Sequence, residues 1–182
     1  MSTKTEEEEC VPNILITGTP ATGKSYLCER LAEQLKLRWL NCSELAKKHN
    51  LIEEYDEEYD CPILDEDKLM DYLEPLMQQG GNIVEYHGCD FFPERWFEAV
   101  FVTTCSNTAL FFDRLKERNY NDKKLKSNIE CEIFGIVLEE AKNSYKSDIV
   151  YQLTNETKQE AEENLKAIKN CGPSGAYINV TE

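Results

Sequence analysis

Eight consecutive residues carry the most legible chemistry in the chain: Gly18-Thr19-Pro20-Ala21-Thr22-Gly23-Lys24-Ser25. They fit G-x-x-x-x-G-K-[ST], a loop whose backbone N–H groups curl around anionic oxygens. Gly18 and Gly23 suit that curl because a Cβ would block it. Lys24 supplies a point charge for β and γ phosphates, and Ser25 offers a hydroxyl to Mg²⁺. The pattern asks for ATP or a similar triphosphate, with Mg²⁺ as its companion ion.

Other candidate groups lie downstream. A strand over 82–86 ends in Glu85-Tyr86-His87-Gly88-Cys89-Asp90. In open α/β sheets ligands bind at the carboxyl ends of strands, so these residues are expected to face the loop. Glu85 would hold Mg²⁺ through water, with Asp90 as a second candidate, or would simply end its strand. His87 would orient an attacking water or a substrate phosphate, or serve structure alone. The only arginines are Arg30, Arg38, Arg95, Arg114 and Arg118. Phosphoryl transfer needs positive charge around the moving group, which arginine grips bidentately. Arg95 and Arg118 are expected to clamp phosphates, Arg30 and Arg38 to lie on surfaces, and Arg114 to serve either purpose.

The elements that must position these groups follow from the apolar pattern. Ile14-Leu15-Ile16-Thr17 before the loop reads as a buried strand, and Leu27, Leu31 and Leu35 after it as one face of a helix to about Lys36. Further strands are expected at 38–41, 99–102 and 149–153, with a helix capped by Ser43 running to Lys48. Helices are expected from Asp65 to Gln79, from a Ser106 cap to Arg118, as one long element from Ile129 to about Lys146, and over 157–169. Residues 52–64 are acidic, aromatic and aperiodic and read as a loop rather than sheet. Five strands alternating with helices imply an α/β fold, one five-stranded parallel sheet with helices on both faces. Two insertions interrupt it: a substrate lobe at about 41–64, and a Lys-rich lid at about 118–127 that excludes water or is a solvated surface loop.

The chain has 182 residues, 41% of them hydrophobic, enough for one core and short for two domains. Its net charge of −15 disfavours general binding of nucleic-acid phosphate. That charge suits a basic protein partner or merely confers solubility. The eight cysteines are scattered with no C-x-x-C pair, so zinc ribbons are unsupported, and Cys28 and Cys131 read as core residues. No apolar leader or long apolar run is present, so an intracellular protein with reduced thiols and no membrane contact is expected. Residues 1–11, with Glu6-Glu7-Glu8-Glu9, are expected to be disordered, and 171–182 to be a flexible tail.

Several stretches together resemble one family, the atypical nuclear adenylate kinases, also called coilin-interacting nuclear ATPases. They are 18–25, Tyr-Asp-Glu-Glu-Tyr-Asp-Cys-Pro-Ile-Leu-Asp-Glu-Asp at 55–67, and Tyr-His-Gly-Cys-Asp-Phe-Phe-Pro-Glu-Arg-Trp-Phe at 86–97. Arg-x-Tyr-x-x-x-Lys-Leu at 118–125 and Asn-Ile-x-Cys-Glu-Ile-Phe at 128–134 complete the set. The resemblance implies an adenylate-kinase-like P-loop kinase domain over about 12–170, with a nucleoside-monophosphate (NMP) lobe and a short lid. It implies Mg²⁺-dependent transfer from ATP to AMP, other monophosphates being tolerated, together with ATP hydrolysis. It further implies a monomer of nucleus and cytoplasm that binds a basic small-subunit ribosomal protein. Through that protein it would associate indirectly with the pre-40S particle as 18S rRNA matures. By motif, Ala21, Gly23, Lys24, Ser25 and Tyr26 would hold ATP phosphates, His87 would belong to a Walker-B-like motif for hydrolysis, and Arg118 to the lid. Two positions depart from the family pattern, Glu85 for the usual Asp and Asn119 for the usual Gly.

Overall fold

The computed structural model describes residues 11–170. The acidic start through residue 10 and the tail from 171 lie outside the described residues. The main sheet is formed by β1 (Ile14–Thr17), β2 (Arg38–Asn41), β5 (Asn82–Glu85), β6 (Ala99–Thr104) and β7 (Val150–Thr154). All pair in parallel, in the order β2-β5-β1-β6-β7. β1 and β5 are buried throughout, with Ile14, Leu15, Ile16, Ile83 and Val84 apolar toward both faces and the polar Thr17, Asn82 and Glu85 confined to strand ends.

Alternation along these strands divides the core. Leu15, Val84, Val100 and Val102 face α2 (Cys42–Lys48), α3 (Glu66–Gln79) and α6 (Ile136–Ser144). Ile14, Ile16, Ile83 and Phe101 face α1 (Lys24–Leu35) and α7 (Lys158–Asn170). Leu27 and Leu31 of α1 are fully buried and Leu35 nearly so, each contributing roughly 1.5–3 kcal/mol of burial. Register aligns Ile16 with both Glu85 and Phe101 and Thr17 with Val102. The carboxyl ends of the central strands are therefore level. The chain leaves β1 toward β2 on one side and reaches β6 on the other, so the phosphate loop emerges at the switch point of the sheet.

The local structure corrects four expectations. Residues 52–64 are no loop: β3 (Ile52–Asp56) and β4 (Cys61–Leu64) form an antiparallel hairpin, turned by Asp56 Oδ1 accepting from the Glu58 and Tyr59 amides. The long helix expected from Ile129 is two, α5 (Asp122–Ile133) and α6, broken where Gly135 takes φ 63. The Lys-rich run is thus the first turn of α5, capped by Asn121 accepting from the Lys124 amide. Asparagines cap two more helices instead of the neighbouring serines. Asn41 caps α2, and Asn107 caps α4 (Thr108–Glu117), while Ser106 bonds Glu156. Asp65, by contrast, caps α3 as the pattern predicts, and Gly80 ends that helix. Among the described residues no helix is long and apolar enough to cross a membrane.

Candidate active site

The turn from β1 into α1 is locked by contacts that leave no room for other residue types. A Cβ on Gly18 would collide with the carbonyl oxygen of Thr103, and one on Gly23 with the Asn155 amide nitrogen. Gly18, Ala21 and Gly23 all take positive φ, which curls the peptide groups into a nest. Thr22 Oγ1 bonds the Thr19 carbonyl at 2.7 Å and Thr103 Oγ1 at 2.6 Å, pinning the loop to β6. From outside, Asn155 Nδ2 donates to Thr22 O at 2.8 Å, and Arg114 Nη1 to Ala21 O at 3.5 Å. These two side chains hold loop carbonyls outward, leaving the N–H groups to face the ligand space. Arg114 also bonds the carbonyls of Asn155 and Glu156, so the residue left open by sequence is a brace between α4 and the end of β7.

Lys24 is buried and donates from Nζ to the carbonyls of Gly18 at 2.7 Å and Thr19 at 3.0 Å. Burial lowers its ammonium to about 8, with Glu85 opposing and Arg118 adding to the shift. A phosphate arriving in the nest would therefore find a lysine ready to gain charge stabilisation.

Ser25 and Glu85 meet as their strand ends predict. Ser25 Oγ donates to Glu85 Oε1 at 2.6 Å, and Trp39 Nε1 donates to Oε2 at 2.9 Å. Asn41, while capping α2, also reaches Oε2 at 3.4 Å. A hydroxyl beside a buried carboxylate is the hard oxygen pair that Mg²⁺ takes. Among the described residues no group of three or more His, Cys, Asp or Glu could hold a metal alone. Mg²⁺ fits here if Ser25 and Glu85 are joined by phosphate oxygens and water.

His87 follows Glu85 by two residues and stands exposed in the cleft. Crowding by protein atoms, then the charges of Lys24 and Lys124, push its imidazole below the ordinary value. Solvent reaches the ring and softens that push, yet its direction keeps His87 neutral at pH 7. Asp90 is exposed and lies near Glu66 and Glu140, whose carboxyls are raised first by burial and then by the Asp90 charge.

Arg118 ends α4 and lines a groove of about 580 Å³ together with Ala21, Gly23, Tyr26, Arg114 and Asn155. This groove continues from the phosphate loop and is sized for a nucleoside. The Tyr26 side chain lies in it and bonds Glu162 at 3.0 Å, so its hydroxyl is turned toward α7 and away from Lys24. Asn119, where the family usually has Gly, takes φ 55 without needing glycine.

Arg95 is not brought to this cluster. It precedes β6, at the amino end of that parallel strand, and pairs with Glu74 at 2.8 Å. The return chain from Tyr86 to Glu94 carries it to the amino ends of the strands, opposite the loop. Arg30 and Arg38 are exposed, Arg30 over the Tyr26 ring and Arg38 near Gln79. Cys28 is buried in the core, and Cys131 is half-buried, 4.0 Å from Thr19 Oγ1.

The expected lid and lobe meet. Asn121 Nδ2 donates to Glu58 O at 3.1 Å, Lys124 Nζ to Asp60 O at 3.2 Å, and Lys123 pairs with Glu58. The hairpin turn and the start of α5 are thus tied together, with Lys124 near enough to His87 for its charge to be felt there. Sequence reasoning missed Trp39, Asn41, Asn155 and Lys124. Lys124 sits in the 118–125 motif and was legible as charge, whereas the others have no spacing signal.

Residues 14–135 match the family described as AAA domain. The chain is 71% identical to the adenylate kinase isoenzyme 6 homolog of Drosophila melanogaster over 90% of this chain and 93% of that one. It is 47% identical to the homolog of Caenorhabditis elegans, over 96% of each chain, and 44% identical to that of Saccharomyces cerevisiae, over 86% of this chain and 80% of that one. Among solved structures, the shikimate kinase of Bacteroides thetaiotaomicron superposes with a TM-score of 0.59 at 13% identity, covering 87% of this chain and 96% of that one. That likeness is one of fold, a P-loop kinase core. At these identities over most of both chains, and with the phosphate-loop nest and the Ser25–Glu85 pair at its sheet edge, the chain belongs to the adenylate kinase isoenzyme 6 family.

Proposed function

We propose that this protein is a nucleoside-monophosphate kinase that moves the γ-phosphoryl of ATP to AMP, accepts other monophosphates, and also hydrolyses ATP. The observation that carries this reading is the convergence of Lys24, the Ser25–Glu85 pair, His87 and Arg118 under a lid that touches the lobe beside them. The names of the relatives support it.

In transfer, an oxygen of the AMP phosphate attacks the γ phosphorus in line. The bond from that phosphorus to the β–γ bridging oxygen breaks, and two ADP result. The attacking oxygen carries no proton at neutral pH, so the kinase reaction needs no general base. Catalysis rests on position and charge: nest amides and Lys24 hold the β and γ oxygens, and Arg118 neutralises charge from the lid side. Mg²⁺, when bound, supplies further neutralisation of those oxygens. Hydrolysis differs because water must lose a proton, and a neutral His87 is suited to accept it.

Its cellular role, by the same reading, is maturation of the small ribosomal subunit and its 18S rRNA in nucleus and cytoplasm. A basic small-subunit ribosomal protein would be the direct partner, and the protein itself a monomer. The charge of −15 supports a basic partner and favours a second reading, an assembly ATPase whose nucleotide state switches that binding.

A coupled assay with ATP·Mg²⁺, with and without AMP, tests both. Two ADP per ATP consumed, only when AMP is present, supports the kinase. Slow ADP release indifferent to AMP but accelerated by a basic ribosomal protein refutes it in favour of the assembly ATPase.

A further inference from the structure

The corner between α5 and α6 has the opposite character to the active site. Ile133, Phe134 and Ile136 are 59%, 71% and 43% exposed, three of the five large apolar side chains exposed among the described residues. Gly135 between them turns the chain at φ 63, and nothing lies within 4 Å of where its Cβ would be. The corner is therefore an open knob. A phenylalanine this exposed gives up most of its burial energy, which a monomer has no folding reason to forgo.

Charge around the knob selects among occupants. The segment 127–141 carries Glu130, Glu132, Glu139 and Glu140 and no lysine or arginine. Glu130 and Glu139 are well exposed and paired only with Lys126 and Lys142 beyond the segment, in surface pairs that exchange at little cost. A second copy would bring the same carboxylates against these, and anionic lipid or nucleic acid would be repelled likewise. A basic protein with an apolar cleft is the complementary partner.

We propose that Ile133, Phe134 and Ile136, flanked in the chain by the exposed Glu130 and Glu139, are the docking site for a basic protein, with Phe134 as its anchor. The proposal rests on the partner reading above and assigns that partner a surface. Its position also gives it a consequence for the nucleotide site. α5 is a rod of twelve residues, about 18 Å long, whose first turn holds the hairpin through Lys123 and Lys124 and whose last residue is Ile133. One rigid element thus joins lid and knob, so a partner that prefers one lid position changes nucleotide affinity by the same factor that nucleotide changes its own.

The test uses the full chain and the purified basic small-subunit ribosomal proteins, each labelled and titrated separately by fluorescence anisotropy at physiological salt. At least one is expected to bind. Phe134→Ser is expected to weaken it tenfold or more and Phe134→Leu far less, with melting temperature and basal ATP turnover unchanged in both. Equal binding by wild type and Phe134→Ser overturns the docking site while leaving the partner reading intact. Absence of binding by every such protein overturns both, and leaves the AMP-dependent assay to judge the kinase. Wild-type self-association in sedimentation that Phe134→Ser abolishes would also overturn it, making the knob a self-interface.

Discussion

Gly23→Ala, measured alone and together with Asn155→Ala, tests whether the loop is shaped from outside by the end of β7. Gly23 sits at φ 89, ψ 20, where any Cβ costs about 1–2 kcal/mol. That Cβ would also strike Asn155 Nδ2, whose side chain is 5% exposed and donates to Thr22 O. Pushing the amide away leaves it and the Thr22 carbonyl unpaired, at roughly 1–3 kcal/mol. Together these make about 2–5 kcal/mol, or about thirtyfold to a few thousandfold in MgATP affinity if the loop relaxes when free and must be reshaped on binding. In the Asn155→Ala background the collision is gone and only the backbone cost remains, about five- to thirtyfold. Isothermal titration of the four proteins gives the coupling directly. Gly23→Ala costing the same in both backgrounds, within about 0.5 kcal/mol, would refute the collision and return Gly23 to a purely local requirement.

Three further outcomes follow from the same geometry. Glu85→Gln removes the carboxylate charge beside Ser25 and is expected to raise the Mg²⁺ needed for half-maximal turnover about 10–100-fold, Glu85→Asp raising it less; a metal titration of activity showing no change would remove Glu85 from the Mg²⁺ site. Lys24, lowered by burial to about 8 from an unfolded value of 10.5, is charged below 8 and neutral above it, so MgATP affinity is expected to fall as pH rises past 8. Without nucleotide the sign reverses, because the cost of burying the charge is relieved as pH climbs from 8 toward 10.5, and melting curves across that window read both trends. Arg95→Ala removes an exposed pair with Glu74, so less than about 1 kcal/mol of stability and no change in kcat are expected, and a large fall in turnover at unchanged stability would put Arg95 back among the catalytic groups.

What the sequence made legible, and what it hid, divides along physical lines. β1, β5 and β6 are buried on both faces, and their centres are apolar runs that such an environment favours, with polar residues only at their ends, so they stand out in the chain. The Ser25–Glu85 meeting follows from register, since β1 ends level with β5 and the loop returns the chain to that edge at the first turn of α1. The hairpin of β3 and β4 was hidden because it is mostly exposed and shows no alternation; Asp56, able to form an Asx turn, was its one local sign. Gly135 broke a helix that periodicity carried across it, because Ile129, Ile133 and Val137 keep their spacing on both sides of the turn. Arg95 misled by proximity in sequence to the strand-end motif, when a return chain separates the two edges of the sheet. Asn155 could not be seen at all, since its role depends on β7 ending beside a loop 133 residues earlier.

The acidity of the chain acquires a use that composition alone could not give it. The basic groups Lys24, Arg118, Lys123 and Lys124 are gathered around the cleft, while the hairpin turn facing them carries Asp56, Glu57, Glu58 and Asp60. The contacts that Lys123 and Lys124 make with Glu58 and Asp60 are exposed and weak, and they tie the first turn of α5 to the hairpin without burying charge permanently. A lid held by buried apolar surface would close as firmly with or without nucleotide. On the proposed reading of the first turn of α5 as a lid, solvated pairs let water release it, and phosphate near Lys124 and Arg118 would add the charge that favours closure. On that reading the acid on the hairpin turn would help the site distinguish loaded from empty, alongside any service it gives to solubility or to a basic partner.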